Sequence, residues 1–296
     1  MASIDRRTTL PDGRALGYDE HGPPDGEPLL YFHGTPSSRK EWLMFGNETL
    51  AERLGLRVVC VDRPGMGLSD FSPGRRILDW PADVGALADR LGLERLAVLG
   101  YSGGVPYALA CALSIPERLA AVGIAACVGP HEIPGLTDGL DPNVLRVRKL
   151  CARTPWLGKL LWWMVGAQAR YFPRRLLSQS RNALPEPDRE IMAREEAQRA
   201  FITMLKEATR QGARGAQQDM ALMASPWEFR PRDIEVPIRL WQGEEDTAAT
   251  PAMARYLQRS IPESKARFYP GEGHVSLIVN HAEEIFETLA ASIHRK

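Results

Sequence analysis

The 296-residue sequence has no surplus of charge: 37 basic residues face 37 acidic ones. A protein built to neutralise nucleic-acid phosphates carries a basic excess, so that class of partner is excluded for the chain as a whole. The sequence also lacks an unbroken apolar run of the roughly 20 residues that cross a bilayer, and no transmembrane segment is expected. Its first residues, Met1-Ala2-Ser3-Ile4-Asp5-Arg6-Arg7, are polar, without the apolar stretch of a secretory signal. Cysteine is scarce, at four residues. Cys60 and Cys127 lie in apolar runs, where a small thiol packs as a hydrophobe. No Cys-x-x-Cys spacing or Cys/His cluster points to a metal, and a reducing, cytoplasmic setting is expected. Lysine is rare beside arginine, six against 31, which reads as coding bias rather than chemistry. What is present is 44% apolar and 25% charged residues, the mix of a globular chain with a sizeable core. The length sits at the top of the range for one domain, or fits one core domain with a large insertion.

Residues 8–18 read as two short strands around the Pro11-Asp12-Gly13 turn, because Pro presets the turn and Gly accepts positive φ. Apolar strands follow at 28–34, 57–62, 96–100 and 120–126, with a helix-like stretch at 79–91. The rhythm returns late, with strands at 237–242 and 266–269 and helices at 251–258 and 281–294. Apolar strands alternating with amphipathic helices predict an α/β fold: a mostly parallel sheet with helices on both faces. Between 129 and 226 the strands stop, and a Pro-punctuated, Arg-, Met- and Trp-rich segment reads as helices alone. The expected organisation is a core of 1–128 and 227–296 with a helical cap of 129–226. Residues 130–225 hold 15 basic and 10 acidic residues, leaving 22 and 27 elsewhere, so a basic cap rests on an acidic core.

Gly100-Tyr101-Ser102-Gly103-Gly104 follows one apolar strand and precedes a helix. That is where a G-x-S-x-G turn presents a nucleophilic serine: small neighbours let strand and helix nearly touch, and the helix N-terminus favours developing negative charge. Serine needs a base. Among six histidines, His21 falls in an early turn, His33 reads as organising its loop, His131 opens the insertion, His281 starts the last helix and His294 is near the end. His274, in Pro270-Gly271-Glu272-Gly273-His274, follows the last strand in a glycine-bracketed loop and is the candidate base. The orienting acid is sought in Gly243-Glu244-Glu245-Asp246, with Asp246 preferred and Glu245 and Glu244 as alternatives. Ser102, Asp246 and His274 each follow a predicted parallel strand, at the carboxyl ends where such sheets place sites. Two backbone donors are needed for an oxyanion, and the amides of Gly103 and Thr35 are in position.

With the His33-Gly34-Thr35-Pro36 loop, the Asp62-Arg63-Pro64-Gly65-Met66-Gly67-Leu68-Ser69 turn, the Ser102 elbow, the Gly243 to Asp246 run and the Gly271 to His274 loop, the chain resembles the α/β-hydrolase superfamily. The resemblance covers about the first 128 and last 70 residues. It implies Ser102 as nucleophile, His274 as base, Asp246 as acid, and Thr35 and Gly103 as oxyanion donors, with no catalytic part for residues 62–69. Serine at the elbow disfavours epoxide hydrolases and haloalkane dehalogenases, whose nucleophile is Asp. Proline-iminopeptidase-like enzymes usually carry Trp after the elbow serine, where this chain has Gly103.

The most apolar stretch, 156–166, carries Trp156, Trp162 and Trp163. Its bulky side chains either shape an apolar pocket or form the cap's own core. Shallow docking on a membrane is a weaker reading, since Lys159 is the only charge within the run. His33, Tyr101, Trp162 and Trp163 are the candidate substrate contacts. The expected activity is hydrolysis of a carboxylic ester of a small molecule through an acyl-enzyme, with no metal or organic cofactor. Aminopeptidase, carbon–carbon hydrolase and cofactor-free perhydrolase are the rivals with the same triad. An aminopeptidase needs acids for the substrate ammonium, and Glu132, Glu195, Glu196 and Glu207 are available. The basic cap, with its Arg146, Arg148 and Lys149 cluster, would either suit anionic substrates or help dock cap and core. A non-catalytic ligand-binding protein is the rival of another class, and a homodimer is left open.

Overall fold

The apolar runs become the strands of one eight-stranded sheet, seen in a computed structural model that describes residues 3–45, 48–182 and 184–293. His294 lies outside the described residues. The strands are β1 (Ser3–Thr9), β2 (Ala15–His21), β3 (Glu27–Phe32), β4 (Leu56–Val61), β5 (Leu96–Tyr101), β6 (Leu119–Ala125), β7 (Ile238–Gly243) and β8 (Ser264–Tyr269). Their order is β1-β2-β4-β3-β5-β6-β7-β8. The pairs β1/β2 and β2/β4 are antiparallel and the rest parallel. From β3 the chain steps to β4 on one side and then to β5 on the other. The carboxyl ends of β3 and β5 therefore flank a topological switch point, where α/β sheets open a crevice.

The two-residue period of a strand sends alternate side chains to opposite faces. Leu30, Phe32, Val59, Val61, Val98, Ile124 and Leu240 pack on one side, against α2 (Trp80–Arg90), α3 (Val105–Ser114) and α10 (Pro251–Ser260). Leu29, Tyr31, Val58, Cys60, Leu99, Ala125 and Trp241 pack on the other, against α1 (Glu48–Arg53), α11 (His274–Asn280) and α12 (Ala282–Ile293). α12 shows why such segments are helical: Ala282, Ile285, Phe286, Leu289 and Ala290 bury one stripe at i, i+3, i+4, i+7 and i+8.

Two expectations change here. The closing helix expected at 281–294 is α12, but the glycine-bracketed segment before it, expected as a loop, forms a further helix, α11; His281 stands between the two, its Nε2 3.1 Å from Glu272 Oε1. His21 ends β2 rather than lying in a turn, buried with its ring stacked on Trp42.

Between β6 and β7 the described residues hold six α-helices: α4 (Pro142–Arg153), α5 (Pro155–Tyr171), α6 (Pro173–Asn182), α7 (Glu186–Ile191), α8 (Glu195–Ala208) and α9 (Arg214–Met223). Among the described residues of 129–226 there is no strand. Pro stands at the first turn of α4, α5 and α7, where its missing N–H costs no hydrogen bond. The insertion holds small apolar clusters of its own, one around Cys151, Trp162, Ala216 and Met220 and another around Ala169, Leu176, Met204 and Leu205.

Candidate active site

Ser102 sits between β5 and α3 with φ of 52°, a left-handed conformation that a non-glycine residue adopts only where its surroundings enforce it. The enforcement is steric. A Cβ on Gly100 would stand 2.6 Å from the Gly104 carbonyl oxygen, and one on Gly104 would stand 2.0 Å from that of Phe32. Glycines at 100 and 104 thus let β5, β3 and α3 converge and lift Ser102 out of the sheet edge.

His274 Nε2 lies 2.9 Å from Ser102 Oγ, and its Nδ1 lies 2.7 Å from Asp246 Oδ2. Asp246 is buried and accepts the amides of Ala248 and Ala249 at 2.8 Å each, with Gln242 Nε2 at 3.3 Å. The alternatives Glu244 and Glu245 are exposed. The loops meet because Gly243 has no side chain: a Cβ there would stand 2.4 Å from the Glu272 carbonyl oxygen. Burial opposes charging of His274, but the Asp246 carboxylate, with Asp188 and Glu41 behind it, outweighs burial and raises the imidazole above its ordinary value.

Asp188 escaped the sequence reading. This buried acid of α7 accepts the amides of His274, Val275 and Ser276 at 2.9 Å each. A Cβ on Gly273 would stand 2.5 Å from its Oδ1, so glycine is required there. Nothing local in Glu186-Pro187-Asp188-Arg189-Glu190 separates Asp188 from its solvated neighbours.

The loop after β3 forms the opposite wall. His33 Nε2 accepts the Arg63 amide at 3.2 Å, so Nδ1 carries the proton and donates to the Gly34 carbonyl at 2.7 Å. Burial, with Arg63 nearby, holds this imidazole well below its usual value and keeps it neutral. His33 organises the loop and does not line the cavity; its assignment as a substrate contact is corrected. Thr35 Oγ1 donates to Asp219 Oδ2 at 2.6 Å. Asp219, on α9, also binds Arg63 at 2.6 Å, Tyr107 at 2.8 Å and Arg75. A Cβ on Gly103 would meet Met223 Cε at 2.2 Å and Thr35 Oγ1 at 2.3 Å, so residues 35 and 103 face each other beside Ser102.

A cavity of about 180 Å³ opens over Ser102 and His274, with Phe45, Leu184, Met192, Phe201, Met204 and Ile278 in its apolar wall. Tyr101 lines it, its hydroxyl donating to the His274 carbonyl at 2.9 Å. Trp162 and Trp163 do not, and this corrects their assignment: Trp162 is buried in the insertion's own cluster, and Trp163 is 62% exposed on the outer face of α5. Helical phase decides this, and the apolar run alone did not reveal it.

Among the described residues, the one carboxylate lining the cavity is Glu41. Its Oε2 accepts Tyr31 Oη at 2.6 Å and the Gly34 amide at 2.7 Å, while burial raises its pKa. A point at the Cβ position of Gly34 is 3.0 Å from Glu41 Oε1 and 3.4 Å from Ser102 Cβ, so both border the same space. Glu41 lies eight positions after His33, and that proximity to a loop motif was its only signal. Glu132, Glu195, Glu196 and Glu207 do not line the cavity; Glu207 pairs with Arg39 and Glu132 accepts the Trp227 amide. Arg146, Arg148 and Lys149 do not reach it either: Arg148 is buried against His131, and the other two are exposed.

The model of the alpha/beta hydrolase family matches residues 29–288. The chain is 35% identical over 144 residues to a non-heme chloroperoxidase of Streptomyces lividans, covering 46% of this chain and 50% of that protein. It is 26% identical, over 90% of each chain, to a putative 2-succinyl-6-hydroxy-2,4-cyclohexadiene-1-carboxylate synthase of Bacillus subtilis (strain 168). Among solved structures, an alpha/beta hydrolase fold protein from Nakamurella multipartita superposes with a TM-score of 0.71 at 23% identity, covering 97% of this chain and 99% of its own. An esterase from Rhodococcus sp. ECU1013 gives 0.70 at 20% identity over 99% of both. At these identities the structural likeness speaks for the fold.

Proposed function

As this chain belongs to the alpha/beta hydrolase family, we propose that it is a serine hydrolase cleaving a carboxylic ester of a small, largely apolar molecule. One observation carries the reading: His274 joins Ser102 and Asp246 by hydrogen bonds of 2.9 and 2.7 Å at the floor of an apolar cavity. In the proposed reaction His274 Nε2 takes the proton from Ser102 Oγ as the oxygen attacks the ester carbon. The amides of Thr35 and Gly103 hold the developing oxyanion, and Asp246 keeps the imidazole in the Nδ1–H tautomer and stabilises its charged form. His274 returns the proton to the departing alcohol. It then deprotonates the water that cleaves the acyl-enzyme. Residues 129–226 act as the cap, and the four free, buried thiols suit a reducing compartment.

Ester cleavage is favoured over peptide cleavage because the acids expected to hold a substrate ammonium lie away from the cavity, leaving Glu41 as its single carboxylate among the described residues. A fluorophosphonate probe labels wild-type protein and leaves Ser102→Ala unlabelled; a folded wild type that resists the probe overturns the reading. p-Nitrophenyl esters are hydrolysed faster than amino-acid p-nitroanilides, and the reverse order makes the protein an aminopeptidase.

A further inference from the structure

The reaction above leaves one surface of the insertion unused. α5 buries Gly158, Trp162, Gly166 and Ala169 and turns Trp156, Leu160, Trp163, Met164 and Tyr171 outward. The outward positions recur at i, i+4, i+7, i+8 and i+15, a single helical stripe, with Phe172 just beyond the helix end. Trp156, Trp163, Tyr171 and Phe172 are each more than 60% exposed, at 65%, 62%, 73% and 64%. Single exposed apolar residues are ordinary, but an aromatic stripe on one helix face marks a contact surface.

Its charge identifies the partner. Residues 142–185 contain nine Arg and Lys and no Asp or Glu. Lys149, Arg153, Lys159, Arg170, Arg174 and Arg175 are exposed, and among the described residues none is paired with a carboxylate. By helical phase Lys159 and Arg170 lie along one edge of the stripe on α5, and α4 and α6, which pack against α5, supply the others. The run 156–166 carries one charge, so the sequence understated how basic this region is. A second copy of the same face would bring two sets of unpaired cations together, which disfavours self-association. Among the described residues no helix is long and apolar enough to cross a membrane, so contact would be peripheral.

We propose that α5 is an interfacial helix that docks the protein reversibly on an anionic lipid bilayer. Trp156, Trp163 and Tyr171 lie at headgroup level, where amphipathic rings are favoured, and the surrounding cations meet lipid phosphates.

The test is co-sedimentation of the full chain with phosphatidylcholine vesicles and with vesicles also containing phosphatidylglycerol. Partition onto the anionic vesicles is expected to be at least about tenfold stronger, and to be lost in about 0.5 M salt, where screening acts within a few ångströms. The double variants Trp156→Ser/Trp163→Ser and Arg174→Gln/Arg175→Gln each weaken it by about tenfold or more without lowering the melting temperature. Four results overturn the proposal. The protein stays in the supernatant at low salt; it binds both vesicle types equally with no salt dependence; neither pair of substitutions changes partition; or it forms a dimer in solution that the tryptophan substitutions dissociate.

Discussion

The carboxylate of Asp188, carried by the helical insertion, accepts the backbone N–H of His274 at 2.9 Å, 86 positions along the chain. With the amides of Val275 and Ser276 on its other oxygen, it holds the turn that aims the imidazole at Ser102. The insertion thereby contributes to the geometry of the proposed base.

Asp188→Asn keeps the shape but sets an amide NH₂ against donors and removes a negative charge. A displacement of about 1 Å in a reacting group can cost on the order of 100-fold, so kcat is expected to fall about 10- to 100-fold with KM little changed. The pH profile separates positioning from general damage. Asp188 helps raise the His274 pKa, so its loss lowers that pKa and moves the rising limb of kcat/KM to lower pH. A fall in rate with an unmoved limb would remove the electrostatic part of the argument.

Gly103→Ala places a methyl against Met223 Cε and Thr35 Oγ1. The methionine can swing away, but Thr35 is tied to Asp219 at 2.6 Å and can yield only by moving its loop. Loss of one oxyanion donor costs about 100- to 1,000-fold in kcat. Ester hydrolysis measured on the folded variant checks this, and near-wild-type turnover would rule out the assigned pair of amides.

Asp219→Ala leaves Arg63 and Arg75 buried without their shared counter-charge. Breaking a buried pair by removing one partner costs about 3–5 kcal/mol, which urea unfolding will read as a lower midpoint. Burial pushes the Asp219 pKa up, but Arg63 and Arg75 overcome it and hold the carboxyl far below the usual range. A depressed acid stabilises the fold above the unfolded carboxylate pKa of about 3.9 and loses this as pH falls toward the folded value. The gap between wild type and variant therefore narrows below about pH 4.

Glu41→Gln tests what the cavity prefers. If its carboxylate meets a donor on the acyl group, the variant loses about tenfold more kcat/KM on esters bearing an ammonium than on neutral ones, the equivalent of about 1.4 kcal/mol. An equal loss on both classes would make Glu41 only a brace for the Gly34 amide.

What could be read along the chain was whatever depends on near neighbours. The strands followed from unbroken apolar runs such as 57–62, the elbow from glycines at 100 and 104, and the order Ser102, Asp246, His274 from three motifs at strand ends. α11 was missed because a glycine-bracketed start looks like a loop, and its amides are capped by Asp188 from another element.

The sequence by itself determined the alternation of strands and helices, the helical insertion and the candidate site residues that sit on tight turns, because backbone sterics and side-chain period act over a few residues. Only the tertiary structure decided which acids matter and which way the tryptophans face. Asp188, Asp219 and Glu41 look like surface acids in the chain and become buried partners of donors on distant elements. Trp162 and Trp163 are adjacent, yet the 100° step of a helix sends one into the insertion and the other to solvent.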